Sequence, residues 1–129
     1  MNKSFLITAA LLGALSVILG AFGAHGLKSK IPADALEIFE TSVRYQFYHV
    51  FALLTAGMLA QYFPGNFITW SGRLFIAGII LFCGSLYLLT YFKGIGSNQM
   101  NWLGAITPFG GLCFIGGWLL LAIAMIKTH

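Results

Sequence analysis

Charge is nearly missing from this chain. Of its 129 residues 8 % are Asp, Glu, Lys or Arg, against roughly 25 % in an ordinary soluble domain. Residues 5–27, 45–72, 74–92 and 94–126 contain none of these four types. The charged side chains sit at Lys3, Lys28, Lys30, Asp34, Glu37, Glu40, Arg44, Arg73, Lys93 and Lys127. Proline is scarce too, at Pro32, Pro64 and Pro108, and each falls near the edge of a candidate helix. Cysteine is limited to Cys83 and Cys113, with no C-x-x-C spacing. That leaves no zinc or dithiol signature, and both thiols read as small buried hydrophobes.

These absences exclude several classes of function. Seven basic residues scattered along the chain, with a net charge of +4, make no nucleic-acid-binding stripe. The glycine-rich stretches lack the G-x-x-x-x-G-K-[ST] pattern of a phosphate loop. Ser16, Ser85 and Thr90 have no carboxylate or histidine three or four residues away. A nucleophile with its base is therefore not in view, and the chain reads as a non-enzyme without cofactor or metal. No long apolar stretch carries an internal Asp, Glu, Lys or Arg, which argues against a proton-coupled carrier of the usual kind.

What the chain does have is apolar length, with 59 % hydrophobic residues. A bilayer core of about 30 Å needs about 20 apolar residues in a helix. The charge-free stretches supply four such spans, at about 4–27, 45–63, 72–92 and 108–127. The expectation is one integral membrane domain over residues 1–129, an all-α four-helix transmembrane bundle. Its environment is a lipid bilayer, as a multi-pass protein of a bacterial inner or plasma membrane. The first span resembles a signal peptide, with Lys3, an apolar run and small residues at 21–24. The run is nearer 20 residues than the 7–15 of a signal sequence, so it is read as a retained helix.

Residues 33–63 have one internal breaker, Gly57, and suit a single long helix. Its opening is amphipathic. Leu36, Phe39 and Val43 share a face, while Asp34, Glu37, Thr41 and Arg44 lie largely elsewhere. Residues 33–44 are therefore expected as an interfacial extension in the head-group layer, with 45–63 spanning. Pro64-Gly65-Asn66 marks a turn. Trp70 and Arg73 mark the next interface. Thr107-Pro108 reads as a cap followed by proline in the first helical turn, with a single helix from Trp102 kinked at Pro108 as the alternative. Basic residues flank both ends of the spans almost equally, so orientation stays open.

Two residue sets stand out. Small residues recur at helical spacing in span 1 (Ala9, Gly13, Ser16, Gly20, Gly23) and in span 4 (Gly110, Cys113, Gly117, Ala124). Such stripes let helix backbones approach closely in lipid, where association rests on packing. Gly13, Ser16, Gly20, Gly23, Gly110 and Gly117 are read as helix-packing positions. The second set is polar. His25 and His49 flank the first connection, and Glu40, Arg44 and Tyr45 stand near His49. Glu40 and Arg44 are four apart and can pair. Ionisable groups at membrane depth are functional candidates, so these five could form a proton relay, a weak metal site or a head-group pocket. The competing reading is structural, with His25 at the interface in reach of water and a neutral His49 bonding between helices.

Four blocks carry a family resemblance. They are Gly20-Ala21-Phe22-Gly23-Ala24-His25-Gly26-Leu27, Tyr45-Gln46-Phe47-Tyr48-His49, Gly84-Ser85-Leu86-Tyr87, and Thr107-Pro108-Phe109-Gly110-Gly111 with Gly116-Gly117-Trp118. Together they resemble domain-of-unknown-function family 423, whose animal members are named transmembrane protein 256. The resemblance implies a small multi-pass membrane protein and no particular activity. The function expected is an interaction or scaffold role, packing with other membrane proteins or as a homo-oligomer. The alternative is a minimal binding module or transporter for a proton, small solute or lipid head group at the His25/His49 end.

Overall fold

Every regular element is helical among residues 1–127, which the computed structural model describes. The helices are α1 (Lys3–Phe22), α2 (Ala33–Leu59), α3 (Asn66–Gly78), α4 (Gly84–Gly94) and α5 (Thr107–Lys127). A π turn, Gly23–Leu27, prolongs α1. A second, Ile79–Cys83, joins α3 to α4 in one rod. Four rods result, and three are long and apolar enough to cross a membrane: Lys3–Leu27, Asn66–Gly94 and Asn101–Lys127. α2 is as long, but Asp34, Glu37, Glu40, Arg44, Gln46 and His49 lower its hydropathy.

Boundaries follow local chemistry. Asn2 caps α1 by accepting the Phe5 N–H at 3.1 Å, and its own N–H donates to the Gly57 carbonyl at 2.9 Å. That bond ties the start of α1 to the end of α2. α2 is one helix from its first residue but stops at Leu59, four residues short of the expected 63. The chain turns at Gly65, whose φ of 129° is open only to glycine without strain. α3 then begins at Asn66 rather than near 72, because nothing from there to Gly78 breaks the helix. A 3-10 turn at Asn101–Ala105 precedes α5, with Pro108 in its first turn. The α-helix therefore starts one residue before the proline, after a separate 3-10 turn. Thr107 is its first residue and not a cap: its hydroxyl shares a 2.7 Å hydrogen bond with Ser85.

α2 and the α3–α4 rod form the centre. α1 packs along α2, and α5 packs along α3 and the π turn on the other side. The core is apolar and layered. Phe75, Ile68, Ala52, Ala56 and Leu121 meet in one cluster; Phe5, Ala9, Val50 and Leu53 in a second; Ile79, Cys83 and Phe114 in a third.

Glycines set the spacing of these contacts. Gly13 faces Val50, Gly20 faces Val43, and Gly23 faces Phe39. The small face of α1 thus lies on α2, and buried Ser16 turns its hydroxyl to the Leu12 carbonyl. On the far side Gly117 lies against Phe75 and the Ser71 carbonyl, and Gly110 against the backbone of Phe82 inside the second π turn. The opening of α2 does not project beyond the bundle. Ala35, Phe39, Ser42 and Val43 are buried there beside α1 and the rod.

Candidate functional site

The contacts Gly13/Val50, Gly20/Val43 and Gly23/Phe39 fix the antiparallel register of α1 on α2. In that register His49 lies level with Ala14, and His25 level with Glu37 or Ile38. Eleven residues of α1 separate the two levels, roughly 17 Å at 1.5 Å per residue. The two histidines therefore do not form one cluster. Their nearness to a common loop suggested otherwise, but α2 begins so early that His49 sits halfway along the bundle.

The other members divide in the same way. His25, Glu40 and Arg44 are exposed. Among the described residues no hydrogen bond, ion pair or ring contact joins them to Tyr45 or His49. Glu40 and Arg44 do not pair with each other; the ion pair among the described residues is Lys93 to Asp34, at 3.5 Å. Both instead border a shallow hollow of about 180 Å³ between α1 and α2, with Gly20, Gly23 and Ala24 along it. Tyr45 does meet His49, the rings lying nearly parallel with centroids 6.3 Å apart.

His49 is the polar centre of the inner bundle. It is 4 % exposed and stacks on Phe114 with centroids 3.5 Å apart and planes 8° apart. Trp118 Nε1 donates to His49 Nε2 at 3.1 Å. An indole nitrogen only donates, so Nε2 is the acceptor and carries no proton. The proton is on Nδ1, which donates to the Tyr45 carbonyl at 2.7 Å. The ring is thus the neutral Nδ1–H tautomer with both nitrogens engaged. A proton passing through it has to break the Trp118 bond first.

Sequence reasoning missed Phe114 and Trp118. Their signal was two aromatics four apart, on one face of a helix otherwise rich in glycine and leucine. It also missed a second polar knot. Gln46, 1 % exposed, donates from Nε2 to the Leu12 carbonyl at 3.1 Å and accepts from Tyr87 Oη at 2.6 Å. Ser42 donates to the Cys83 carbonyl at 2.9 Å, and Ser71 to the Gly117 carbonyl at 2.7 Å. In lipid every buried polar group needs an internal partner, and these bonds join α1, α2, the rod and α5. Tyr87→Phe removes one neutral hydrogen bond and is expected to lower stability by about 1 kcal/mol. Unfolding in mixed micelles measures this, and an unchanged midpoint would mean that the bond carries no load.

No group of three or more His, Cys, Asp or Glu able to hold a metal occurs among the described residues. Cys83 and Cys113 are free thiols. An open groove of about 560 Å³ lies beside His49, between α2, the rod and α5.

The decisive comparison comes from sequence. A family model described as "Protein of unknown function (DUF423)" matches residues 19–111. The chain belongs to this family. Its relatives include the UPF0382 membrane protein YwdK of Bacillus subtilis, 44 % identical over 126 residues, covering 97 % of this chain and 98 % of the relative. The UPF0382 membrane protein SAB0533 of Staphylococcus aureus is 45 % identical over 125 residues, covering 97 % of each chain. SH2409 of Staphylococcus haemolyticus, of the same description, is 42 % identical over 125 residues and covers 97 % of each. No solved structure matches. The resemblance seen in the four sequence blocks is thus a family membership. These bacterial relatives are named membrane proteins, and this chain has three helices long and apolar enough to span a membrane. It is a multi-pass membrane protein, and the family description assigns no activity.

Proposed function

We propose that this protein is a non-enzymatic interaction protein of the membrane, a four-helix bundle that associates side by side with a second copy through the outer face of α1 and α2. In this reading α2 crosses the bilayer with the other three rods, and Asp34 and Glu37 at its start reach the head-group layer. One observation carries the reading. Glu40 and Arg44 are exposed, opposite in charge, four residues apart and without an ion-pair partner among the described residues, at the level of Gly23 and Leu19 of α1. Charges within the height of a membrane bundle usually pair or face its interior; these face outward. A two-fold axis along the membrane normal sets Glu40 of one copy against the partner's Arg44, and the reverse. Phe47 and Phe51 continue the same face one and two turns further on, with rings stacked 6.4 Å apart. The hollow beside Gly20, Gly23 and Ala24 lets a neighbouring helix come close.

A charge swap tests the reading. Association is measured by energy transfer between labelled copies in lipid nanodiscs or vesicles. Glu40→Arg and Arg44→Glu each set like charges together and are expected to abolish most of the transfer. The double variant restores reciprocal pairs and recovers it. Transfer that ignores all three changes sinks the self-association reading. A site for a proton, solute or head group shared by His25 and His49 is not favoured, because of the distance between them and the engagement of both His49 nitrogens.

A further inference from the structure

The groove beside His49 lies further round the outer surface of α2 from Glu40 and Arg44, on the edge toward α5. Its walls are chiefly Tyr45, Tyr48, His49, Phe82, Phe114 and Trp118. By the α1 register Tyr48 is level with Leu15, the middle of the Lys3–Leu27 rod. Trp118 is one residue past the middle of α5. The groove is therefore at mid-depth and opens sideways toward the hydrocarbon.

Its aromatics are in an unusual place. Tyrosine and tryptophan normally gather at the two membrane interfaces, where the polar tip reaches water. Here Tyr45, Tyr48 and Trp118 are 37 %, 51 % and 46 % exposed at the level where hydrocarbon is deepest. Trp118 has spent its one donor on His49 and offers only a ring. The hydroxyls of Tyr45 and Tyr48 have no partner among the described residues, and an unpaired hydroxyl in an apolar medium is costly. The site thus combines ring surfaces, two unmet donors and access from the lipid. An acyl tail uses none of the donors. A flat ring bearing carbonyl oxygens uses both the rings and the hydroxyls.

We propose that this groove binds a planar, carbonyl-bearing lipophile of the quinone type, entering from the bilayer, stacking on the aromatic walls and accepting hydrogen bonds from Tyr45 and Tyr48. The volume of about 560 Å³ suits a ring head group with the start of a tail. The inference goes beyond the association reading and rests on other residues.

The test uses the full chain in nanodiscs of phosphatidylethanolamine and phosphatidylglycerol. Trp70→Phe and Trp102→Phe leave Trp118 as the single indole. The probe is a 1,4-naphthoquinone with one short isoprenoid tail, and Trp118 emission is followed as it is added. Saturating loss of emission is expected, unaffected by the saturated alcohol of the same tail. Tyr45→Phe with Tyr48→Phe keeps the rings and is expected to weaken binding about tenfold or more, since each neutral hydrogen bond is worth roughly fivefold. A melting midpoint unchanged by the tyrosine substitutions keeps folding out of the comparison. Quenching that rises without saturation, equal affinity in the tyrosine variant, or displacement by the alcohol each overturns the proposal.

Discussion

Replacing Gly110 with alanine is expected to destabilise the bundle by roughly 1–3 kcal/mol, more than any other glycine-to-alanine change at the helix contacts. A Cβ at this position meets the backbone N and Cα of Phe82, well inside van der Waals contact. Those atoms belong to the π turn Ile79–Cys83, whose Cys83 carbonyl is already held by Ser42. No rotamer change relieves the clash, because the obstacle is main chain. α5 must move away from the rod, and the packing of Phe114 on Ile79 and Cys83 loosens with it. Gly13→Ala is the matched control. Its added Cβ comes to 3.5 Å from Val50 Cγ1, an ordinary contact, and alanine is the better helix former by about 1 kcal/mol in water. That variant is expected to be neutral or slightly stabilised. Reversible unfolding in mixed micelles, followed by helical signal, compares the two. Equal midpoints for both variants contradict the close approach at Phe82.

The second large effect is expected at His49. Truncation to alanine removes a buried ring stacked on Phe114 and leaves Trp118 Nε1 and the Tyr45 carbonyl without this partner. Loss of packing and the orphaned donor together predict roughly 2–4 kcal/mol. Trp118 emission is expected to change as well, since its N–H loses its acceptor. His25→Ala sits on an exposed turn and is expected to stay within about 0.5 kcal/mol of the parent. Similar losses from the two histidine variants would show that they act as one site, against the separation derived from the α1–α2 register.

This contrast shows where sequence reasoning reached and where it stopped. His25 and His49 are both polar residues near the same connection, and linear distance put them together. Only the start of α2 at Ala33, with Phe39 already against Gly23, carries His49 to mid-depth. Glu40 and Arg44 had the spacing of a helical ion pair, yet in the structure they remain apart while Lys93 reaches Asp34 from another helix. An exposed pair at that spacing is worth only a few tenths of a kcal/mol, too little to decide the side-chain positions. The small residues were easier to interpret, because helices that meet in lipid need close backbones wherever they meet.

The sequence by itself determined the class of molecule, the approximate rods, their connections at Pro32 and at Pro64 to Asn66, and the faces rich in small residues. These are local properties, set by transfer energies and turn geometry within a few residues. Tertiary structure alone decided the two π turns, the register of the rods, and the partners of His49, Gln46, Ser42 and Ser71. It also decided that the most polar helix turns Glu40 and Arg44 outward at its α1 edge and Tyr45 and Tyr48 outward at its α5 edge. Those outcomes depend on which helices meet and at what height. That is settled by packing between segments far apart in the chain, which local periodicity does not encode.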